Sequence, residues 1–324
     1  MGPLSVPQRG CVSGLSLPQG ERRDLSNFSV FFSNSHDPYL NLALEDWIFK
    51  NLVHENNTGP ILFFYINKPS VIIGRAQNPW LECNLQTMSE DKILLVRRQS
   101  GGGAVYHDLG NLNFSVLANL KFFNKTQNLD LMIQALNFFN IKAHRGPRHD
   151  LWVGNKKISG CAFRQTKDKA FHHGTLLINA DLAALGNYLK SPDENKIQES
   201  KGVKSVRSSV MNLSELIKNL KPEDLINKIS EKFAEYYSLG TQLIKPRLIT
   251  PGMIQDATAM MEEFKNFDWL YGKTLPFEIT REIKLSDGKV LKANLWIEQG
   301  LIKKILDPVD DLRLDFLLNT PLFF

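Results

Sequence analysis

Cysteine is scarce in this 324-residue chain: Cys11, Cys83 and Cys161 are odd in number, far apart and without CxxC spacing. That pattern argues against a disulfide framework or a zinc site, and a reducing compartment is the simplest setting for it. The seven histidines do not replace the missing ligands, because the adjacent His172 and His173 point to opposite faces of any strand that carries them. No uninterrupted apolar run reaches the roughly 18 residues that a membrane helix needs, so no membrane association is expected. Blocks of like charge are missing too. The 39 Lys and Arg are scattered among 34 Asp and Glu, and a net charge of +5 fits solubility and acidic ligands better than a nucleic-acid partner. Neither GxxxxGK[ST] nor GxGxxG occurs, which removes two common glycine-rich nucleotide signatures. There is no internal repeat.

A chain of this length, 43% hydrophobic, can bury a large core and is expected to form one domain of about 200–250 residues with a smaller one beside it. Residues 1–27 hold Pro, Gly, Ser and Gln with Arg9, Arg22 and Arg23. Without apolar periodicity they read as an unstructured leader, either a loose mitochondrial presequence or a plain tail. Ordered structure is expected from a strand at 28–32, then a helix capped by Asp37, with Pro38 in its first turn, running to about residue 53. Strands are predicted at 61–65, 70–73, from Lys92 onward, and at 112–117. A helix at 129–139 precedes strands at 157–163 and 171–179. Helical segments follow at 183–189, at 212–220 and from Pro222. Residues 241–253 read as a linker, 257–266 as helical, and 277–285, 290–297 and 301–305 as a three-stranded meander.

The stretch RRQSGGGAVYHDLGN, residues 97–111, joins two of these strands and concentrates the chemistry. Three glycines give access to positive φ and remove the β-carbons that keep a ligand away from the amides. Successive bare N–H groups then line an anion site, and Arg97 and Arg98 offer planar cationic forks for a carboxylate or phosphate. The plain alternative is a tight hairpin with surface arginines. Elsewhere, Arg75 is an exposed charge after a strand, Asp150 sits at a strand entrance, and Lys157 shares a strand face with Ser159. Together these residues suit activation of a carboxylic acid by a nucleotide. Attack of a carboxylate on an α-phosphate brings two anions together, and fixed cations such as Lys157 and Arg98 offset the charge that rises. Asp150 is the candidate Mg2+ ligand. Read blandly, Lys156 and Lys157 are a surface pair and Asp150 a solvated turn residue.

Four ordered blocks carry a resemblance: GRAQNPWLECN (74–84), the glycine stretch, KISGCAFRQTKDKAFHHGTLLINADL (157–182) and KGVKSVRSSVMNL (201–213). In order and spacing they resemble the lipoate protein ligase A and lipoyltransferase family. The resemblance implies an α/β fold with mixed sheets, the biotin/lipoate protein ligase catalytic domain related to class II synthetases, over residues 28–245. Residues 246–266 would be a linker and helix, and DWLYGKTLPF would open a partial, shortened accessory domain at 267–324. In that family the accessory domain swings between two steps: lipoate and ATP give lipoyl-AMP, and a protein lysine then takes the acyl group. The implied catalytic residue is Lys157. Nucleotide contacts are implied for Arg98, Gly103, Ala104, Val105, Tyr106 and Lys157, and lipoate contacts for Arg98, Ser100, Gly101, Gly102, His107 and Lys157. Arg75, Asn111 and Arg164 are secondary, and Asp150 is metal-associated. ATP and Mg2+ are implied with lipoate as substrate. The implied partners are lipoyl domains of 2-oxoacid dehydrogenase complexes and the glycine cleavage H protein, with a monomer and a mitochondrial location expected, cytoplasmic as the alternative. One departure is His149 before Asp150, where bacterial relatives commonly show asparagine. Rival readings are a transferase that uses preformed lipoyl-AMP, a non-catalytic lipoate binder, a cysteine-dependent octanoyl transferase and, more remotely, a biotin ligase.

Overall fold

The structure, a computed structural model, describes residues 30–56, 59–198, 200–237, 246–285, 287–307 and 312–322. The leader read over 1–27 lies outside the described residues, as does the part of the predicted linker at 241–245. In chain order the strands are β1 (Val30–Phe32), β2 (Ile61–Ile66), β3 (Ser70–Ile73), β4 (Leu94–Arg97), β5 (Val105–His107), β6 (Asn111–Asn119), β7 (Ala143–Arg145), β8 (Leu151–Val153), β9 (Lys156–Ser159), β10 (Cys161–Gln165), β11 (Lys169–Leu177), β12 (Ile197–Gln198), β13 (Arg247–Leu248), β14 (Phe277–Lys284), β15 (Val290–Glu298) and β16 (Leu301–Asp307). The helices are α1 (Pro38–Asn51), α2 (Pro79–Glu82), α3 (Leu85–Glu90), α4 (Lys125–Phe138), α5 (Leu182–Tyr188), α6 (Pro222–Tyr237), α7 (Pro251–Lys265) and α8 (Phe267–Leu270).

Caps explain several boundaries. Asp37 accepts N–H bonds from Tyr39 and Leu40 with Pro38 in the first turn of α1, the arrangement that satisfies otherwise orphaned donors. Thr250 caps α7 in the same way, so that helix begins six residues earlier than its apolar pattern predicts. Residues 212–220 form only a 3-10 turn at Leu213–Glu215, closed by a capping box with Asn212.

The frame is a six-stranded mixed sheet in the order β10-β11-β6-β2-β1-β13, with β1 parallel to β2 and β13 and the remaining pairs antiparallel. Every residue of β2 and β6 is buried, as strands covered on both faces require. One face, carrying Leu62, Phe64 and Phe114, packs on α4 and α6. The other, carrying Phe63, Tyr65 and Phe171, packs on α1 and α7. Two small sheets, β4-β3-β5 and β7-β8-β9, present the loops of the site.

Two topological findings bear on function. The run predicted as one strand at 157–163 is two strands, β9 and β10, in different sheets. The break is at Gly160, whose N–H donates to Thr175 Oγ1 at 3.0 Å; no proline or polar turn marks it in the sequence. The glycine stretch is no hairpin either. β4 runs parallel and β5 antiparallel to β3 between them, so the loop crosses the end of β3. At the C-terminal end the expected meander gains a fourth strand, since β12 pairs with β14.

Candidate active site

Gly74 follows β3 where the glycine loop crosses its end, and a β-carbon there would stand 2.3 Å from Gly102 O. Only glycine permits that approach. Gly102 itself has φ +86°, a backbone region that side chains disfavour. Inside the loop lies the Arg98 guanidinium. Its Nε donates to Ser100 Oγ (2.9 Å) and Gly101 O (3.1 Å), Nη2 to Gly101 O (2.5 Å) and Gly103 O (2.8 Å), and Nη1 to Ile72 O (3.1 Å). One cation thus gathers the loop's carbonyls, while the amides of Gly101, Gly102 and Gly103 have no hydrogen-bond partner among the described residues. Burial pushes the Arg98 pKa down to about 10, which leaves it charged at neutral pH. Arg97, next to it, plays a different part. It is fully buried and spends its donors on Gly74 O, Arg75 O, Gln77 O, Leu270 O and Thr274 Oγ1, so it is a structural tie and not a ligand fork.

Across the cleft, Lys157 Nζ lies 3.0 Å from Asp150 Oδ2, and Asp150 Oδ1 accepts from Trp152 Nε1 at 2.9 Å. Burial would raise the Asp150 pKa, but the hydrogen bonds from Trp152 and Lys157 and the Lys157 charge outweigh it and hold the carboxyl below its ordinary range. Gly146 makes room for this arrangement: a β-carbon there would meet Asp150 Oδ1 and Trp152 Nε1 at 2.2 Å. Lys157 is held by the 201–213 block, since its N–H donates to Ser209 O (2.9 Å) and its carbonyl accepts from Met211 N–H (3.1 Å). The same block folds over the loop. Ser205 Oγ accepts from Ala104 N–H (2.8 Å) and Gln77 Nε2 (3.1 Å), and Ser205 N–H donates to Glu82.

The cleft between these parts has a volume of about 480 Å³. Of the predicted residues, Arg98, Gly102, Gly103, Ala104, Val105, His107, Asp150 and Lys157 line it. Others do not. Tyr106 points to the opposite side of β5 and packs on Tyr188 at 5.5 Å, as the period of a strand requires. Asn111 is buried with Nδ2 on Asn113 Oδ1 at 2.9 Å. Arg164 pairs with Asp46 at 2.5 Å and stacks over Phe49. Arg75 is exposed and offers the loop only its main chain, donating N–H to Ser100 O at 2.8 Å. Ser100 and Gly101 shape the loop around Arg98.

Sequence reasoning missed Tyr65, Asn113, His173, Thr175 and the 203–206 segment, all on the cleft wall, and Glu45 behind it. Ser100 Oγ bonds His173 Nε2 at 2.8 Å, and His173 Nδ1 bonds Glu45 at 2.9 Å, a relay that braces Arg98 from behind. The FHHG and KGVKSVRS motifs were the available signals. Cys161 also lines the cleft, but burial pushes its thiol up to about 12, leaving it protonated and a poor nucleophile. No group of three His, Cys, Asp or Glu among the described residues is placed to hold a metal. Among the described residues Asp150 is the single carboxylate on the wall, and one carboxylate beside phosphates is an ordinary magnesium environment.

Four cations, Arg98, Arg148, Lys157 and Lys204, face that one carboxylate, so the cleft selects an anionic ligand. Unpartnered loop amides opposite a strand-borne lysine, on a mixed α/β frame, define the class of acyl-group ligase domains. The chain belongs to the lipoyl protein ligase A/B catalytic domain family, whose model matches residues 37–234. It is 38% identical over 285 residues to lipoate-protein ligase A of Bdellovibrio bacteriovorus, covering 87% of this chain and 82% of that protein. Its structure is similar to P. falciparum LipL1 in complex with lipoate (33% identity, TM-score 0.67, 91% of this chain and 90% of that one). It is also similar to a lipoate-protein ligase A bound with ATP (27% identity, TM-score 0.61, 74% and 96%).

Proposed function

We infer that this chain is a lipoate–protein ligase that joins lipoate to a lysine of a lipoyl-acceptor domain through a lipoyl-AMP intermediate. The observation that carries this reading is Lys157, held 3.0 Å from Asp150 opposite a glycine loop with unpartnered amides. The relatives that bind lipoate and ATP support it. In the first step a lipoate carboxylate oxygen attacks the α-phosphorus of ATP, and the bond to pyrophosphate breaks. Two anionic groups converge in that transition state. Lys157 and Arg98 supply fixed positive charge, and the loop amides supply oriented donors that need no reorganisation. Asp150 holds the Lys157 ammonium in place, and it is the residue that would hold Mg2+, which neutralises phosphate charge when bound. In the second step the neutral amine of the acceptor lysine attacks the acyl carbonyl, AMP leaves with the electron pair of the broken bond, the amine nitrogen gives up one proton to solvent, and Lys157 again meets the developing oxyanion.

The acceptors in this reading are lipoyl domains of 2-oxoacid dehydrogenase complexes and the glycine cleavage H protein, and the arginine-bearing leader favours a mitochondrial location. The protonated Cys161 thiol argues against a thioester route. The experiment is lipoate-dependent exchange of pyrophosphate into ATP, run beside transfer from synthetic lipoyl-AMP. Exchange together with transfer is expected. Transfer without exchange would make the chain a transferase that receives the adenylate, and binding without either would make it a lipoate carrier.

A further inference from the structure

Of the described side chains that line the cleft, His107 is the one with a buried polar atom lacking any hydrogen-bond partner, its Nε2. A chain of buried amides determines what that nitrogen carries. Asn41 Nδ2 lies 2.8 Å from Ser35 O, 3.4 Å from Ile66 O and 2.8 Å from Asn67 Oδ1. Main-chain carbonyls only accept, so the Asn41 amide is oriented with its nitrogen toward them, and it donates to Asn67 Oδ1. Asn67 Nδ2 is thereby turned to His107 Nδ1 at 3.0 Å. An amide nitrogen only donates, so Nδ1 accepts and the proton of the neutral ring sits on Nε2. Burial first, then the neighbouring Arg98 and His173, holds the ring neutral, with its pKa lowered to about 3. The cleft wall therefore carries a buried N–H donor that awaits an acceptor, a standing cost that a ligand atom relieves.

The sheet register gives the span of the cleft on this side. Gly160 brings Lys157 Nζ and Thr175 Oγ1 together, within 3.7 and 3.9 Å of the position a β-carbon would take there. Thr175 pairs with Asn113, and Asn113 with Tyr65. From the Lys157 end of the cleft to Tyr65 is thus two strand spacings, about 9–10 Å. Asn67, which orients His107, follows Tyr65 by two residues. With the acyl carboxyl at Lys157, a medium-length acyl chain extends toward the Tyr65 end of the cleft, which His107 also lines. Resting on the lipoate reading, we propose that His107 Nε2–H determines acyl specificity by donating to a ring sulfur of the dithiolane. Octanoate, which lacks the sulfurs, leaves the donor unpaired, and sites built around a hydrogen bond reject the analogue that cannot make it.

Two variants test this. His107→Phe keeps a ring and removes the donor. Asn67→Asp replaces the amide donor with a carboxylate, which draws the proton to Nδ1 and leaves a lone pair on Nε2. The readout is the ratio of kcat/KM for lipoate and octanoate in pyrophosphate exchange, with the ratio of Kd values for lipoyl-AMP and octanoyl-AMP measured by calorimetry in parallel. Wild type is expected to prefer the lipoyl ligand, and that preference should fall about tenfold, the effect of one modest hydrogen bond, in each variant. An unchanged ratio in folded His107→Phe overturns the proposal, as does a loss that falls equally on both acids. If wild type shows no exchange, the ligase reading fails while the calorimetric ratio still decides the role of His107. If Asn67→Asp does not fold, His107→Phe decides alone.

Discussion

Lys157 and Asp150 are each other's nearest charge, and removing either changes the other. Lys157→Ala should lower lipoate-dependent pyrophosphate exchange about 100- to 1000-fold, the usual effect of deleting a group that meets transition-state charge. Exchange near the wild-type rate in a folded variant would contradict the role given to Lys157. A second prediction concerns two histidines kept neutral by burial. His172 stacks on Phe163 at 4.5 Å with neither ring nitrogen bonded, and burial first, then His173, lowers its pKa to about 3; His107 is lowered to about the same value. The ordinary value is 6.5, so between pH 6.5 and 3 the unfolded chain binds protons that the folded chain refuses. Stability from these rings is complete above pH 6.5 and falls as the pH drops, by on the order of 1 kcal/mol per pH unit for each ring. Urea midpoints at pH 7, 6 and 5 should fall accordingly, and His172→Phe should reduce the slope. An unaltered slope in that variant would mean that His172 does not stay neutral.

At the scale of elements, the glycine loop is built by its neighbours as much as by its own glycines. Gly74→Ala would drive a methyl into Gly102 O, 2.3 Å away, and the loop must shift because that contact is backbone. Adenylation should fall at least tenfold while far-UV circular dichroism and the melting temperature change little, since the strained contact lies at the cleft and outside the three apolar clusters. A fully active Gly74→Ala protein would show that the loop carries no precise geometry. Much of this element was legible in the sequence: three glycines, a neighbouring arginine and flanking strands identify an anion loop, and Asp37–Pro38 marks the start of α1 from local chemistry alone. What was hidden has physical causes. Adjacent Arg97 and Arg98 have the same composition signal but turn to opposite sides, one into the interior and one into the loop. The β9–β10 break falls at a single glycine, with no proline or polar turn to announce it. Tyr65, Glu45 and His173 come from β2, α1 and β11, and only tertiary packing assembles them around Ser100.

At the scale of the molecule, the C-terminal sheet is tied to the rest by contacts that a swinging unit would have to break. Arg97, with no exposed surface, donates to Leu270 O at 2.6 Å and Thr274 Oγ1 at 3.0 Å, while its own carbonyl accepts from Trp269 Nε1 at 2.7 Å. Trp80 Nε1 reaches Leu322 O at 3.1 Å, Arg281 pairs with Asp193 at 2.5 Å, and β12 completes the sheet that β14 begins. One apolar cluster runs from Val71 and Trp80 through Phe277 and Ile297 to Leu322. A small sheet needs an apolar face covered to be stable, and this shared cluster covers it. Arg97→Met should therefore cost about 3–5 kcal/mol, counting several buried acceptors left unpaired at about 1 kcal/mol or more each. The loss should appear in the whole molecule at once, with tryptophan emission and far-UV circular dichroism melting together in wild type and variant alike, as a single cooperative unit requires. If the melt instead resolves into two transitions and pyrophosphate exchange survives the first, the C-terminal sheet is an independent unit, and the swing expected of an accessory domain becomes available to this chain.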